Sequence, residues 1–441
     1  MKQLFNRLSV VLCVIPWLSA CQPILDQDFE ASLEAETYNN TGQDAEADFK
    51  QYQTKSLYLS SNLPTDCTGL ADMTPCSVFT YPFDRDYDVC IDGVCKSPGC
   101  GTSACNVPGP YFPLADTGQR QCFDTGSIME ECPISENDAF FGQDGQYGWD
   151  ASHTADERYS RIFNDEQEPI VADNVTGLMW QGCTAGQSGD NCTSGAASAL
   201  KWSYALRYCD SLTWGGYSDW RLPDDFALVS ILDLGSYYPS VDADTFPVTM
   251  ANQYWSSSTY HDDDRLAWTV IVGSGSTDYF SYKDQILYVR CVRGGTLKSQ
   301  PIRFTRDTLQ PNEPVVSDSV TELQWQGCSA GQSGNECDEF SETTMTWQEA
   351  LDYCEKLTWA DHNDWRLPNS FELQSIVDTR KHDLMIDEEL FPETRSSAYW
   401  TSSTAYYRQK NSAWQVNFAK ANIRSNEKRN GSYVRCVREE I

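Results

Sequence analysis

The hexapeptide DWRLPD occupies residues 219–224, and DWRLPN occupies residues 364–369. A phrase repeated with one change, 145 residues apart, implies a duplicated domain. Matches on either side extend it. RYSR (158–161) returns as RFTR (303–306), and TGLMWQGC (176–183) as TELQWQGC (321–328). WSYALRYCDSLTW (202–214) returns as WQEALDYCEKLTW (347–359), and YWSSST (254–259) as YWTSST (399–404). YVRCVR stands unchanged at 288–293 and 433–438. The repeats therefore span 158–293 and 303–438, each the size of an independent domain.

Within each repeat the apolar spacing places Trp202, Ala205, Leu206, Cys209 and Leu212 on one helical face, and Trp347, Ala350, Leu351, Cys354 and Leu357 on its counterpart. The proline of RLP opens a second helix. Asn369 with Glu372 forms a capping box there, whereas Asp224 caps without a partner acid. YWSSS, LAWTVIV or SAWQVNF, and YVRCVR read as strands. Trp220 and Trp365 are expected in the core. Arg221 and Arg366 are expected to pair with a buried carboxylate such as Asp233 or Asp378.

The chain has 441 residues, 14 Trp and a formal charge of −32, which argues against nucleic acid as a partner. Residues 1–21 have the form of an export signal. Lys2 and Arg7 precede a short apolar run, and LSAC resembles a bacterial lipobox with Cys21 as the lipidated residue. Gln22 at the next position favours the outer membrane, so the expectation is an outer-membrane lipoprotein, anchored by acyl chains and facing the periplasm or the cell surface. Residues 22–66 are acidic and aperiodic, a tether of about 35–40 Å r.m.s. span. Residues 67–157 form a Cys-rich segment with eight cysteines from Cys67 to Cys132. Loop-rich and small, it needs cross-links in place of a core.

Of 18 Cys, Cys13 leaves with the signal and Cys21 takes lipid, so an even number is left to pair. In each repeat Cys183 and Cys192, like Cys328 and Cys337, flank a turn-rich loop, which leaves Cys209 for Cys291 and Cys354 for Cys436. Four cysteines allow three connectivities, and this one ties the first helix to the last strand.

A bridge of that kind with short Trp-rich strands resembles the C-type lectin fold. The ordered phrases WQGC, DWRLP, YWSSS and YVRCVR resemble a narrower family, the C-terminal domain of the collagen-like bacterial adhesin Lcl. The resemblance implies an α+β fold: two tandem C-type-lectin-like domains, each with two helices and a short antiparallel sheet, after a disulfide-rich loop segment. It implies surface adhesion to glycan or protein and no catalytic residues. The calcium signatures of C-type lectins are absent.

The loops after YWSSS differ between copies, so Tyr260, Asp262 and Asp263 in the first and Tyr406, Tyr407 and Arg408 in the second are the ligand candidates. Asp242 and Asp244, with Asp387 and Glu389, are a weaker calcium candidate beside a plainer role as helix or turn caps. No other cofactor is expected. A structural envelope component without a small ligand is the alternative function. A catalyst of the formylglycine-generating kind is a third, disfavoured because each cysteine has a ready partner.

Overall fold

The computed structural model describes residues 112–147, 158–164, 166–260, 263–294, 303–379, 381–405 and 410–440, with the backbone of three short strands before them. Those strands, β1 (Pro75–Cys76), β2 (Asp88–Ile91) and β3 (Val94–Lys96), make a small sheet of their own in that order. The signal, Cys21 and the tether lie outside the described residues.

Each repeat is α+β and holds two sheets rather than the one expected. In the first repeat β4 (Tyr159–Ile162), β5 (Ile170–Asp173) and β6 (Leu178–Gln181) form an antiparallel meander, and the last strand, β14 (Val292–Gly294), returns to pair with β6. The second repeat builds the same sheet from β15 (Phe304–Asp307), β16 (Val315–Asp318), β17 (Leu323–Gln326) and β21 (Val437–Glu439). RYSR and RFTR, read only as matching text, are the edge strands of these sheets.

The second sheet runs β12-β11-β10-β13-β9. It comprises β9 (Ala199–Leu200), β10 (Gln253–Thr259), β11 (Leu266–Ile271), β12 (Ser276–Tyr282) and β13 (Leu287–Tyr288), and only β10 with β13 is parallel. A two-stranded ribbon pairs β7 (Gln187–Ser188), inside the Cys183–Cys192 loop, with β8 (Ser194–Gly195), just after it. The second repeat has β18 (Ala398–Thr404), β19 (Ser412–Asn417) and β20 (Asn422–Glu427). In the first repeat YVRCVR, expected as one strand, is two. Its start belongs to one sheet and its end to the other, and Cys291 stands at the crossing, where its carbonyl accepts from Gln181.

The helices follow the expected faces. After α1 (Asp144–Tyr147), α2 (Trp202–Asp210) buries Trp202, Ala205, Leu206 and Cys209, and α4 (Trp347–Glu355) buries the matching four. Thr346 and Glu349 box the start of α4, while Lys201 before α2 gives no side-chain cap. Asp224 caps α3 (Asp225–Ser230) by accepting from the Ala227 amide at 2.8 Å, and Asn369 with Glu372 boxes α5 (Ser370–Ser375). At six residues, α3 and α5 are too short to persist without tertiary packing.

Among the described residues disulfides join Cys183 to Cys192, Cys209 to Cys291, Cys328 to Cys337, Cys354 to Cys436 and Cys122 to Cys132. Each repeat has a core around its two bridges, with Trp202 and Trp255 in one and Trp347 and Trp400 in the other. A third core is shared, running from Trp180 and Leu228 of the first repeat to Trp325 and Leu373 of the second. There α3 meets α5 and β12 meets β20, so like elements face each other across an approximate two-fold axis. Phe112 joins this shared core, and the segment from 112 to 147 crosses both repeats as a collar.

Candidate functional site

The repeated phrase is explained by internal bonds. Asp219 receives the Arg293 guanidinium at 2.6 Å, and Asp364 receives Arg438 at 2.7 Å, so DWRLP is tied to the end of YVRCVR. Trp220 and Trp365 are buried and donate to the carbonyls of Trp214 and Trp359. The arginine expectation needs correction. Arg221 pairs with Asp224 at 3.7 Å, and Arg366 makes two 2.7 Å bonds to Glu372. Each arginine thus meets an acid in the capping turn of the helix that follows it. The first arginine of YVRC is fully internal: Arg290 donates to the carbonyls of Gln181 and Gly182, and Arg435 to those of Gln326 and Gly327. Burial pulls both guanidinium groups down to about 10.

The loop candidates fare differently. Tyr260 is buried and packs edge-on against Trp268 at 5.6 Å, so it cannot stack on a ligand. A bulge between Trp255 and Thr259 breaks the strand alternation just before it. Asp263 is held by Arg265 at 2.6 Å. Asp262, Tyr406, Tyr407 and Arg408 lie outside the described residues. Asp242 accepts from the Thr245 amide and Asp387 from the Glu389 amide, while Asp244 and Glu389 are exposed. Lys381 reaches Asp387 at 3.4 Å, a cation where calcium would have to sit. Among the described residues no group of three or more His, Cys, Asp or Glu side chains is placed to hold a metal ion.

One cleft was not foreseen. A cleft of about 410 Å³ opens where the collar crosses the first repeat. Asp116, Arg120, Tyr159, Asp233, Ser236 and Asp242 give it a polar lining, with Phe123 at one side. Burial pushes the Asp233 carboxyl up, against hydrogen bonds from Ser236 and Gly235 that favour its charge. Burial also raises the Tyr159 hydroxyl, with Arg158 opposing. Donors and acceptors thus face a cavity of small-ligand size. A glycine pair is the trace it leaves in the sequence: a Cβ on Gly235 would stand 2.3 Å from the Gly118 carbonyl, so only glycine lets collar and repeat approach there.

The same collar seals a face of the second repeat. Gln119 donates its carboxamide to the Thr404 carbonyl at 2.7 Å and accepts from the Thr404 amide at 2.8 Å. Asp144 accepts from Ser403 at 2.5 Å and from Thr117 at 2.8 Å. Lys428 lies 3.9 Å over the Trp347 ring and donates to the Asp124 carbonyl at 3.0 Å. Burial brings its ammonium down to about 7, against the nearby Asp124 charge.

Two small cystine-stapled α+β units, joined like to like under a collar, define a tandem-module protein with a polar cleft. The family model of the Lcl C-terminal domain matches residues 169–293 and 314–438, more than half of the chain, which therefore belongs to that family as two tandem copies. The matched stretches begin after β4 and β15, which nonetheless pair with β5 and β16. No curated protein matches the chain. No helix among the described residues is long and apolar enough to cross a membrane.

Proposed function

We propose that the chain is a lipid-anchored envelope protein, held at the outer membrane through Cys21, whose folded body binds a hydroxyl-rich ligand without chemistry on it. The observation that carries this reading is the cleft between the collar and the first repeat, where carboxylates, a guanidinium and hydroxyls converge on about 410 Å³. Such a lining suits a glycan, whose hydroxyls both donate and accept. The C-type-lectin-like description of each unit belongs to the same proposal. It is supported by the bridge of first helix to chain end and by two small sheets, and a calcium-free mode fits Lys381 beside Asp387.

A non-catalytic role is supported by the ten cysteines from Cys122 onward, all of which are in disulfides, so a thiol-based formylglycine chemistry has no nucleophile there. The alternative, an assembly component without a small ligand, draws on the collar that covers Trp347 and Thr404. A glycan array probed with the chain lacking residues 1–21, with and without calcium, decides between them. Binding that is lost in Asp233→Ala supports the glycan reading, and silence across the array supports the assembly reading.

A further inference from the structure

One difference between the repeats sits beneath the collar. In the second, Ser370 stands where the first has Asp225. Ser403 donates its amide-bound hydroxyl to Asp144 of the collar, and the Gln119 carboxamide closes on both backbone atoms of Thr404. In the first, Asp225 itself supplies the carboxylate, accepting from Ser258 at 2.6 Å. The next residue, Thr259, is exposed where Thr404 is fully buried. Thr259 stands opposite Ala267 as Thr404 stands opposite Ala413, and the following amides, Tyr260 and Ala405, both donate across the hairpin. The Thr259 amide and carbonyl therefore point outward in the geometry that Gln119 fills in the other copy.

We propose that the C-terminal end of β10 at Thr259, beyond its pairing with β13, docks a polypeptide segment that presents an Asn or Gln side chain and carries a neutral or basic group, rather than an acid, beside it. The occupied second repeat supplies the template. A primary carboxamide has N–H and C=O on the same side, so one group serves both backbone atoms of a residue. A trans secondary amide, as in an N-acetyl sugar, directs them oppositely and cannot. The acid is excluded because Asp225 already fills the place that Asp144 takes and accepts the hydroxyl that Asp144 would need. Exposed Asp264 and the net charge of −32 favour a basic partner in the same direction. The rule also explains why the collar settles on the second repeat: Asp144 fits over Ser370 and is refused by Asp225.

The test uses the full chain labelled with ¹⁵N-threonine and a capped peptide, Lys-Thr-Gln-Thr-Lys. A saturable shift of the Thr259 amide signal with none at Thr404 is expected, and replacing the peptide's Gln by Glu or Leu should weaken binding at least tenfold. Absence of a shift at Thr259, or equal binding of the Leu peptide, overturns the proposal. Asp225→Ser, which copies the second repeat, should let the peptide Asp-Thr-Gln-Thr-Asp bind at least tenfold more tightly than it binds the unaltered chain. No gain there overturns the exclusion of acids.

Discussion

Ile423 donates its backbone amide to the Thr277 hydroxyl at 2.8 Å, and the two residues hold matching places in β20 and β12. The bond therefore sits where the two repeats meet like to like, beside a core that runs through both. Thr277→Val keeps the shape and strands a buried amide, at a cost of about 1–3 kcal/mol. A fall in Tm of about 2–6 °C is expected by calorimetry, with both repeats melting in one transition. Two separate transitions would mean that the shared core does not couple them.

Asp225 gives stability a definite pH dependence. Burial first, and then the charge of Asp224, raise its carboxyl from 3.8 to about 7, while Ser258 pulls the other way. Between those values the folded chain holds a proton that the unfolded chain has released. The contribution of this site to stability therefore falls as pH rises from 3.8 to about 7. Asp225→Asn should remove that slope and melt a few degrees above the parent at pH 8. Parallel Tm–pH curves for variant and parent would contradict the assignment.

Lys428 acts in the next window with the opposite sign. Its folded value, about 7, lies below the ordinary 10.5, so the folded chain releases a proton that the unfolded chain keeps. Stability from this site rises with pH between the two values. Lys428→Met, which keeps the stem over Trp347, should flatten the alkaline limb of the curve and loosen the collar. Faster proteolytic cutting within 112–147 is the readout, and unchanged cutting would show that Lys428 does not hold the collar.

The long and short bridges should differ in worth. Loop-closure entropy assigns about 4–5 kcal/mol to Cys209–Cys291 and about 2–3 to Cys183–Cys192. Paired Cys→Ala variants read by urea unfolding should keep that order in both repeats, and equal losses would point to strain or residual structure instead.

Arg290 and Arg435 are buried cations answered by carbonyls and hydroxyls. Arg435 also donates to Thr394 at 2.7 Å, as Arg290 does to Thr249 at 2.8 Å. A lysine cannot span two adjacent carbonyls and a hydroxyl together. Arg435→Lys should cost about 3 kcal/mol in urea unfolding. A loss under 1 kcal/mol would show that water replaces the fork.

Local pattern carried much of this far. The apolar face of α2, the cap at Asn369 and the spacing of the cysteines are short-range facts, and the helices and bridges followed from them. The first sheet was hidden because strands of four residues, such as Tyr159–Ile162, leave no alternation long enough to read. Tyr260 was misjudged because a bulge turns a polar-looking loop residue inward. The cleft and the collar contacts join residues over a hundred positions apart, as Gln119 and Thr404 do, and nothing local announces such a pair.

The meeting of α3 with α5 and β12 with β20 has an evolutionary corollary. A lone ancestor bearing this surface would have been self-complementary and free to form homodimers, with every mutation felt on both sides of the axis. Fusing the halves into one polypeptide removes that constraint. One half could then drift to Asp225 and the other to Ser370, and a homodimer's two identical faces could become a covered one and an open one.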